Sequence, residues 1–204
     1  KLKATEDKVY EANISLFSAL QNTDSDNSGF FALDRFIASH CIVLAIEGVP
    51  AFYFNSFFAT KNDTNSYSKN GVKRDLNRHK WNYSDLVSRI DDNESLENKC
   101  FSILRELILI RKSQPAFHPN ATQFTLNINK SVFAVWRQSR DRKQSIFAIT
   151  NVTSLKFIFN TNMINLIDDE KWFDLLNPKT NFHDDENIEL NPYQTIWITN
   201  LKAE

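Results

Sequence analysis

Between positions 62 and 80 the chain gathers side chains that could hold a polar ligand: Asn62-Asp63, then Lys73, Arg74, Asp75, Arg78, His79 and Lys80. An arginine guanidinium is a planar fork of donors that suits sugar hydroxyls, carboxylates and phosphates. One such fork could grip a substrate while its neighbours hold the loop. The same composition also describes a solvated loop cross-linked by Asp63 and Asp75, and composition alone leaves both readings open. His40, His79, His118 and His183 are scattered, with no i,i+4 pair and no cysteine at ligand spacing, so no metal site is expected. Asp168-Asp169-Glu170 and Asp184-Asp185-Glu186 fall between apolar runs and read as solvated turns. Trp136, Trp172, Tyr193 and Trp197 could form a sugar-stacking face, but aromatics at strand spacing are core residues first. Phosphate-binding glycine loops, a dinucleotide fingerprint and a nucleophile elbow do not occur.

Such a loop needs a rigid element before it. Val49 to Phe54 is apolar on both faces, as in a strand covered on both sides by a parallel sheet, and Pro50 pushes Val49 toward extended backbone. The basic cluster follows the carboxyl end of that run, where parallel α/β proteins bind ligands. A helix is predicted over 30–46, with Phe36, Ile37, Cys41, Leu44 and Ala45 at helical spacing and Gly48 placed to end it. Asn22 to Gly29 is a run of turn formers and reads as a surface loop, its glycine at the wrong offset for a calcium loop. A short helix starts near Asn82. A longer one is predicted over 96–111, with Leu96, Cys100, Ile103, Leu104, Leu107, Ile108 and Ile110 on its apolar stripe.

From Ala116 the texture changes to short β-rich runs: 124–128, 132–137, 146–151, 155–159, 172–175 and 194–199. Polar turn clusters separate them, which argues for a small antiparallel sandwich. The domain boundary falls at 114/115.

The 204 residues carry a formal net charge of -1, which gives no electrostatic reason to expect nucleic acid or an acidic membrane as partner. Cys41 and Cys100 fall inside predicted helices and read as buried free thiols. No apolar run is long enough to span a bilayer and no signal-peptide pattern opens the chain, so a reducing, cytoplasmic setting is expected. The first residue is Lys1, consistent with a piece of something longer.

Several motifs together resemble the sucrose phosphorylase-like branch of glycoside hydrolase family 13, in the alpha-amylase superfamily. They are Tyr10-Glu11-Ala12-Asn13, Arg35-Phe36, Gly48-Val49-Pro50-Ala51-Phe52-Tyr53, Asn62-Asp63 and Arg74-Asp75-Leu76-Asn77-Arg78-His79. Pro115-Ala116-Phe117-His118-Pro119 is similar to that branch's entry into its terminal β-domain. The resemblance implies the carboxyl-terminal part of a (β/α)8 barrel in residues 1–114, with its last strand and flanking helices. An antiparallel Greek-key β-sandwich domain would follow in residues 115–204.

It also implies a retaining double displacement in which phosphate releases glucose 1-phosphate. By resemblance Arg74 binds the far hydroxyls of the glucosyl unit, and Tyr10 and Glu11 shape the acceptor side. Asn62, Asp63, Asp75, Arg78 and His79 would support the loop. Strict sucrose phosphorylases carry Gln at the position of Glu11, and Glu there is more similar to relatives acting on glucosylglycerol or glucosylglycerate. The family's nucleophile, acid/base and third carboxylate belong to earlier barrel strands, so no catalytic carboxylate is expected in these residues and the chain alone is expected to be inactive. The expected partners are a small carbohydrate, inorganic phosphate as co-substrate with no cofactor, and the remaining barrel strands. The alternatives are a family 13 hydrolase or transglucosidase of the amylosucrase kind, and a non-catalytic remnant or sugar-binding β-domain.

Overall fold

The computed structural model describes residues 12–24, 26–164, 166 and 171–201. Among the described residues five α-helices come first: α1 (Leu16–Ala19), α2 (Ala32–Ala45), α3 (Thr64–Asn70), α4 (Tyr83–Asp91) and α5 (Leu96–Lys112). Strands follow: β1 (Thr122–Leu126), β2 (Val132–Gln138), β3 (Ser145–Asn151), β4 (Phe157–Asn160), β5 (Trp172–Asp174), β6 (Asn181–Phe182), β7 (Asn187–Leu190) and β8 (Thr195–Thr199).

Capping and charge explain why α5 forms where it does. Ser95 Oγ accepts the Asn98 N–H, Glu97 lies in the first turn, and Arg111 and Lys112 lie in the last. Its buried stripe of Cys100, Leu104 and Leu107 packs on the Phe36, Cys41 and Leu44 face of α2. Both cysteines are free and buried, and burial pushes each thiol up to about 12.

Six strands form one sheet in the order β1-β2-β3-β8-β5-β6, and β4 pairs with β7 in a second, all antiparallel. The last strand is inserted between β3 and β5, a crossed connection of the Greek-key kind. Side chains alternate cleanly across the large sheet. Val135, Ile146, Ala148 and Trp197 face the helices, while Ala134, Phe147, Ile149, Ile196 and Ile198 face the β4–β7 pair. Both faces are therefore covered, which is why β3 reads as a continuous apolar run. Trp172, Tyr193 and Trp197 are buried, so they serve the core and not a sugar-stacking surface. Strands β6 and β7 were not among the predicted runs.

Two arginines fasten the helices to the sheet. Arg111 Nε donates to the Leu44 carbonyl at 2.8 Å, and Arg137 Nη1 donates to the Ala45 carbonyl at 2.9 Å. These carbonyls end α2, so the cations meet acceptors the helix itself leaves unsatisfied, at its negative pole.

The expected strand at Val49 to Phe54 is not formed. Residues 49–53 carry no regular secondary structure and pair with no described strand, and Phe54–Phe58 is a 3-10 turn. A strand exists only with a neighbour to bond its N–H and C=O groups, and none of the described strands lies alongside. Val49 is 80% exposed, Tyr53 54% and Phe54 56%, so a run read as buried shows its apolar side chains to solvent. The described residues of 22–29 form an irregular surface loop as expected, with one inward-facing side chain. Asp26 turns inward to a 2.9 Å ion pair with Arg35, and a hydrogen bond from Ser28, the Arg35 guanidinium and the Phe31 N–H hold its carboxyl down at about 2.

Candidate functional site

The segment 49–53 ends in the 3-10 turn Phe54–Phe58, closed by Ala59 in the left-handed region (φ 46). From there the chain folds back on itself to Trp81, pinned at a few polar points. The Asp63 N–H donates to the Leu76 carbonyl at 2.7 Å, joining the two limbs of the loop. The Asp63 carboxylate caps α3 through the Ser66 N–H at 2.8 Å and takes His79 Nδ1 at 2.7 Å. The Ser66 amide first and His79 second hold this carboxyl well below its ordinary range, at about 2. Asn55, itself buried, donates from Nδ2 to the His79 carbonyl at 2.9 Å, and Trp81 Nε1 donates to Thr60 Oγ1. Gly71 ends α3 at φ 67, a conformation glycine takes without cost. The 3-10 turn Lys73–Asn77 follows it.

Beside this loop lies a cavity of about 740 Å³, walled by Phe17, Phe36, His40 and Phe52 and rimmed by Asn55 and Arg78. The His40 ring sits 4.3 Å from Phe36 and 5.2 Å from Phe52, its Nδ1 2.8 Å from the Phe36 carbonyl. Burial lowers its pKa, so the ring stays neutral and acts as a wall. Mostly apolar with a polar rim, the cavity can hold chain or ring surfaces and orient them by a few hydrogen bonds.

The structure brings Asn62, Asp63 and His79 together as the loop's fastening. Asp75 accepts instead from Asn70 Nδ2 at 2.6 Å. Arg78 reaches the cavity rim, whereas Arg74 stands on the exposed side of the neighbouring 3-10 turn. Tyr10 and Glu11 lie outside the described residues. Asn55 was missed, as were Ser15 and Ser18, which bond Asn62 through the Ser15 N–H and the Ser18 Oγ; a polar residue inside the aromatic run 52–58 was the available signal for Asn55. Asp63, tied to an amide and an imidazole and ionised down to about pH 2, is a poor proton acceptor at neutral pH. These side chains are equipped to bind and to position.

No protein-family model matches the chain. Curated proteins do. The glucosylglycerate phosphorylase of Allomeiothermus silvanus is 32% identical over 189 residues, covering 93% of this chain and 31% of its own. That of Escherichia coli is 32% identical over 190 residues, covering 93% of this chain and 32% of its own. The sucrose phosphorylase of Bifidobacterium adolescentis is 26% identical over 129 residues, covering 63% of this chain and 22% of its own. The chain spans about a third of the length of the glucosylglycerate phosphorylases it matches.

Among solved structures, AmyP in complex with maltose aligns over 82% of this chain and 34% of its own, with a TM-score of 0.65 at 17% identity. The alpha-amylase from Geobacillus thermoleovorans, complexed with acarbose, aligns over 84% of this chain and 34% of its own, with a TM-score of 0.60 at 12% identity. These likenesses show the fold: the carboxyl-terminal part of a (β/α)8-barrel enzyme with its antiparallel β-domain. The curated homologues of this chain are thus glucosylglycerate and sucrose phosphorylases of glycoside hydrolase family 13, and it is to their carboxyl-terminal portion that the chain is similar.

Proposed function

We propose that the chain is the carboxyl-terminal part of an α-glucosyl phosphorylase. The enzyme moves a glucosyl unit from a small α-glucoside to phosphate, giving glucose 1-phosphate with retained configuration. The observation that carries this reading is the 32% identity to glucosylglycerate phosphorylases along 93% of the chain. The exposed apolar segment 49–54 and the cavity behind it support the same reading, because barrel strands alongside would cover that surface and complete the ladder. The nucleophile, the acid/base and the third carboxylate are then carried by those strands. Arg74 binds the far hydroxyls of the glucosyl unit, and Tyr10 and Glu11 belong to the part of the sequence that shapes the acceptor side, where the acceptor is glucosylglycerate's glycerate.

The test is to purify the polypeptide that joins this chain to its barrel strands and incubate it with glucosylglycerate, with and without phosphate. Glucose 1-phosphate formed only when phosphate is present is the expected result. Free glucose released at the same rate without phosphate would make the protein a hydrolase of the same family.

A further inference from the structure

Asn62 and Asp63 stand where three pieces of chain meet. Asn62 Oδ1 accepts the Ser15 N–H at 2.7 Å and the Asn62 N–H donates to Ser18 Oγ at 2.9 Å, contacts made across 47 and 44 positions of sequence. Both bonds grip the segment that enters α1, and Ser15 follows closely on Glu11. Asp63 grips the opposite side: its N–H holds the Leu76 carbonyl at 2.7 Å and its carboxylate holds His79 at 2.7 Å, on either side of Arg78. The carboxylate bonds are charge-assisted and therefore among the stronger ones available. A planar peptide unit joins the two residues, so the two grips cannot shift independently by much.

We propose that Asn62 is a positioning residue that registers the segment after Glu11 on the loop carrying Arg74. One clamp then sets the spacing between the acceptor side and the glucosyl side of the sugar site. The roles of those two sides rest on the function proposed above; the clamp rests on the hydrogen bonds alone.

Hydrogen exchange on the full 204-residue chain tests the clamp without any activity. Asn62→Ala is expected to speed exchange at Ser15 at least tenfold, and also at Asp63 and Arg78 on the far side. Amides of β3 should keep their rates. Asn62→Asp retains an oxygen acceptor and should restore protection at all three positions. Faster exchange at Ser15 alone would overturn the proposal, as would a uniform rise that includes β3. A second arm uses the polypeptide that carries the barrel: Asn62→Ala should raise KM for phosphate and for glucosylglycerate together by roughly tenfold, with kcat falling less. Unchanged KM values would overturn the positioning role. If the unaltered polypeptide forms no glucose 1-phosphate, the proposed function fails, and the exchange experiment still decides the clamp.

Discussion

Asp174 shows how burial sets the behaviour of a single group. Its Oδ1 accepts the Trp197 N–H at 2.9 Å and the Leu176 N–H at 3.0 Å, in the heart of the β8–β5 junction. Burial pushes its carboxyl from 3.8 up to about 6, against the pull of those two amides. The folded protein thus holds a proton that the unfolded chain has already released, so stability falls as pH rises from about 4 to about 6. A shift of this size corresponds to roughly 3 kcal/mol. Asp174→Asn keeps an acceptor for both amides and removes the charge. It should raise the melting temperature at pH 7.5 and leave it nearly unchanged at pH 4, as calorimetry would show. A loss of stability at pH 7.5 would mean that the carboxylate is stabilised by something the two amides do not supply. For Arg74, a charged hydrogen bond is worth about 1.5–3 kcal/mol, so Arg74→Ala in the barrel-bearing polypeptide should lower kcat/KM roughly 10- to 150-fold. Unaltered kinetics would remove Arg74 from the site. Asp63 and His79 were named in sequence as loop support, but their pairing with each other was not; the structure supplies it. Asn55 and Ser15 carried no such mark: Asn55 bonds a backbone carbonyl and Ser15 offers its own backbone N–H, groups that leave no trace in residue type.

At the scale of elements, the two long helices were legible because their apolar stripes are wide. The helix predicted over 96–111 runs Leu96–Lys112, and the one over 30–46 runs Ala32–Ala45. Ser95 is the signal at the start of α5; its Oγ accepts from Asn98 and donates to the Arg89 carbonyl. Ser95→Ala should cost about 1 kcal/mol in a denaturant titration. Leu104→Ala, in the fully packed α2–α5 seam, should cost about 2–5 kcal/mol. The run 49–54 misled for a physical reason. Its composition is that of a strand, but a helix closes its hydrogen bonds within itself and a strand cannot, so the segment is only as regular as its neighbours allow. Strand β7 does alternate, with Ile188 and Leu190 inward and Glu189 outward, yet it is only four residues long and follows an acidic turn that reads as loop.

Across the whole molecule, one apolar cluster runs from Phe17, Phe36 and Leu104 in the helical half to Ile146, Phe173 and Trp197 in the sheet. The boundary at 114/115 marks a change of secondary structure in sequence, and this cluster lies across it. Arg111 and Arg137 add buried hydrogen bonds from α5 and β2 to the end of α2. A single cooperative melting transition is therefore expected for the chain, and two separated calorimetric peaks would argue for independent halves. The sheet alternation and the helix stripes made this layered arrangement legible. The insertion of β8 between β3 and β5 was not, because strand order depends on which edges are already covered.

The incompletely covered face at 49–54 makes one comparison decisive. Glucose 1-phosphate release from glucosylglycerate and phosphate should be measured side by side for the 204-residue chain and for the same chain joined to its barrel strands. Turnover confined to the joined polypeptide is the predicted result; turnover by the 204 residues alone would contradict the assignment of the catalytic carboxylates to the strands that complete the barrel.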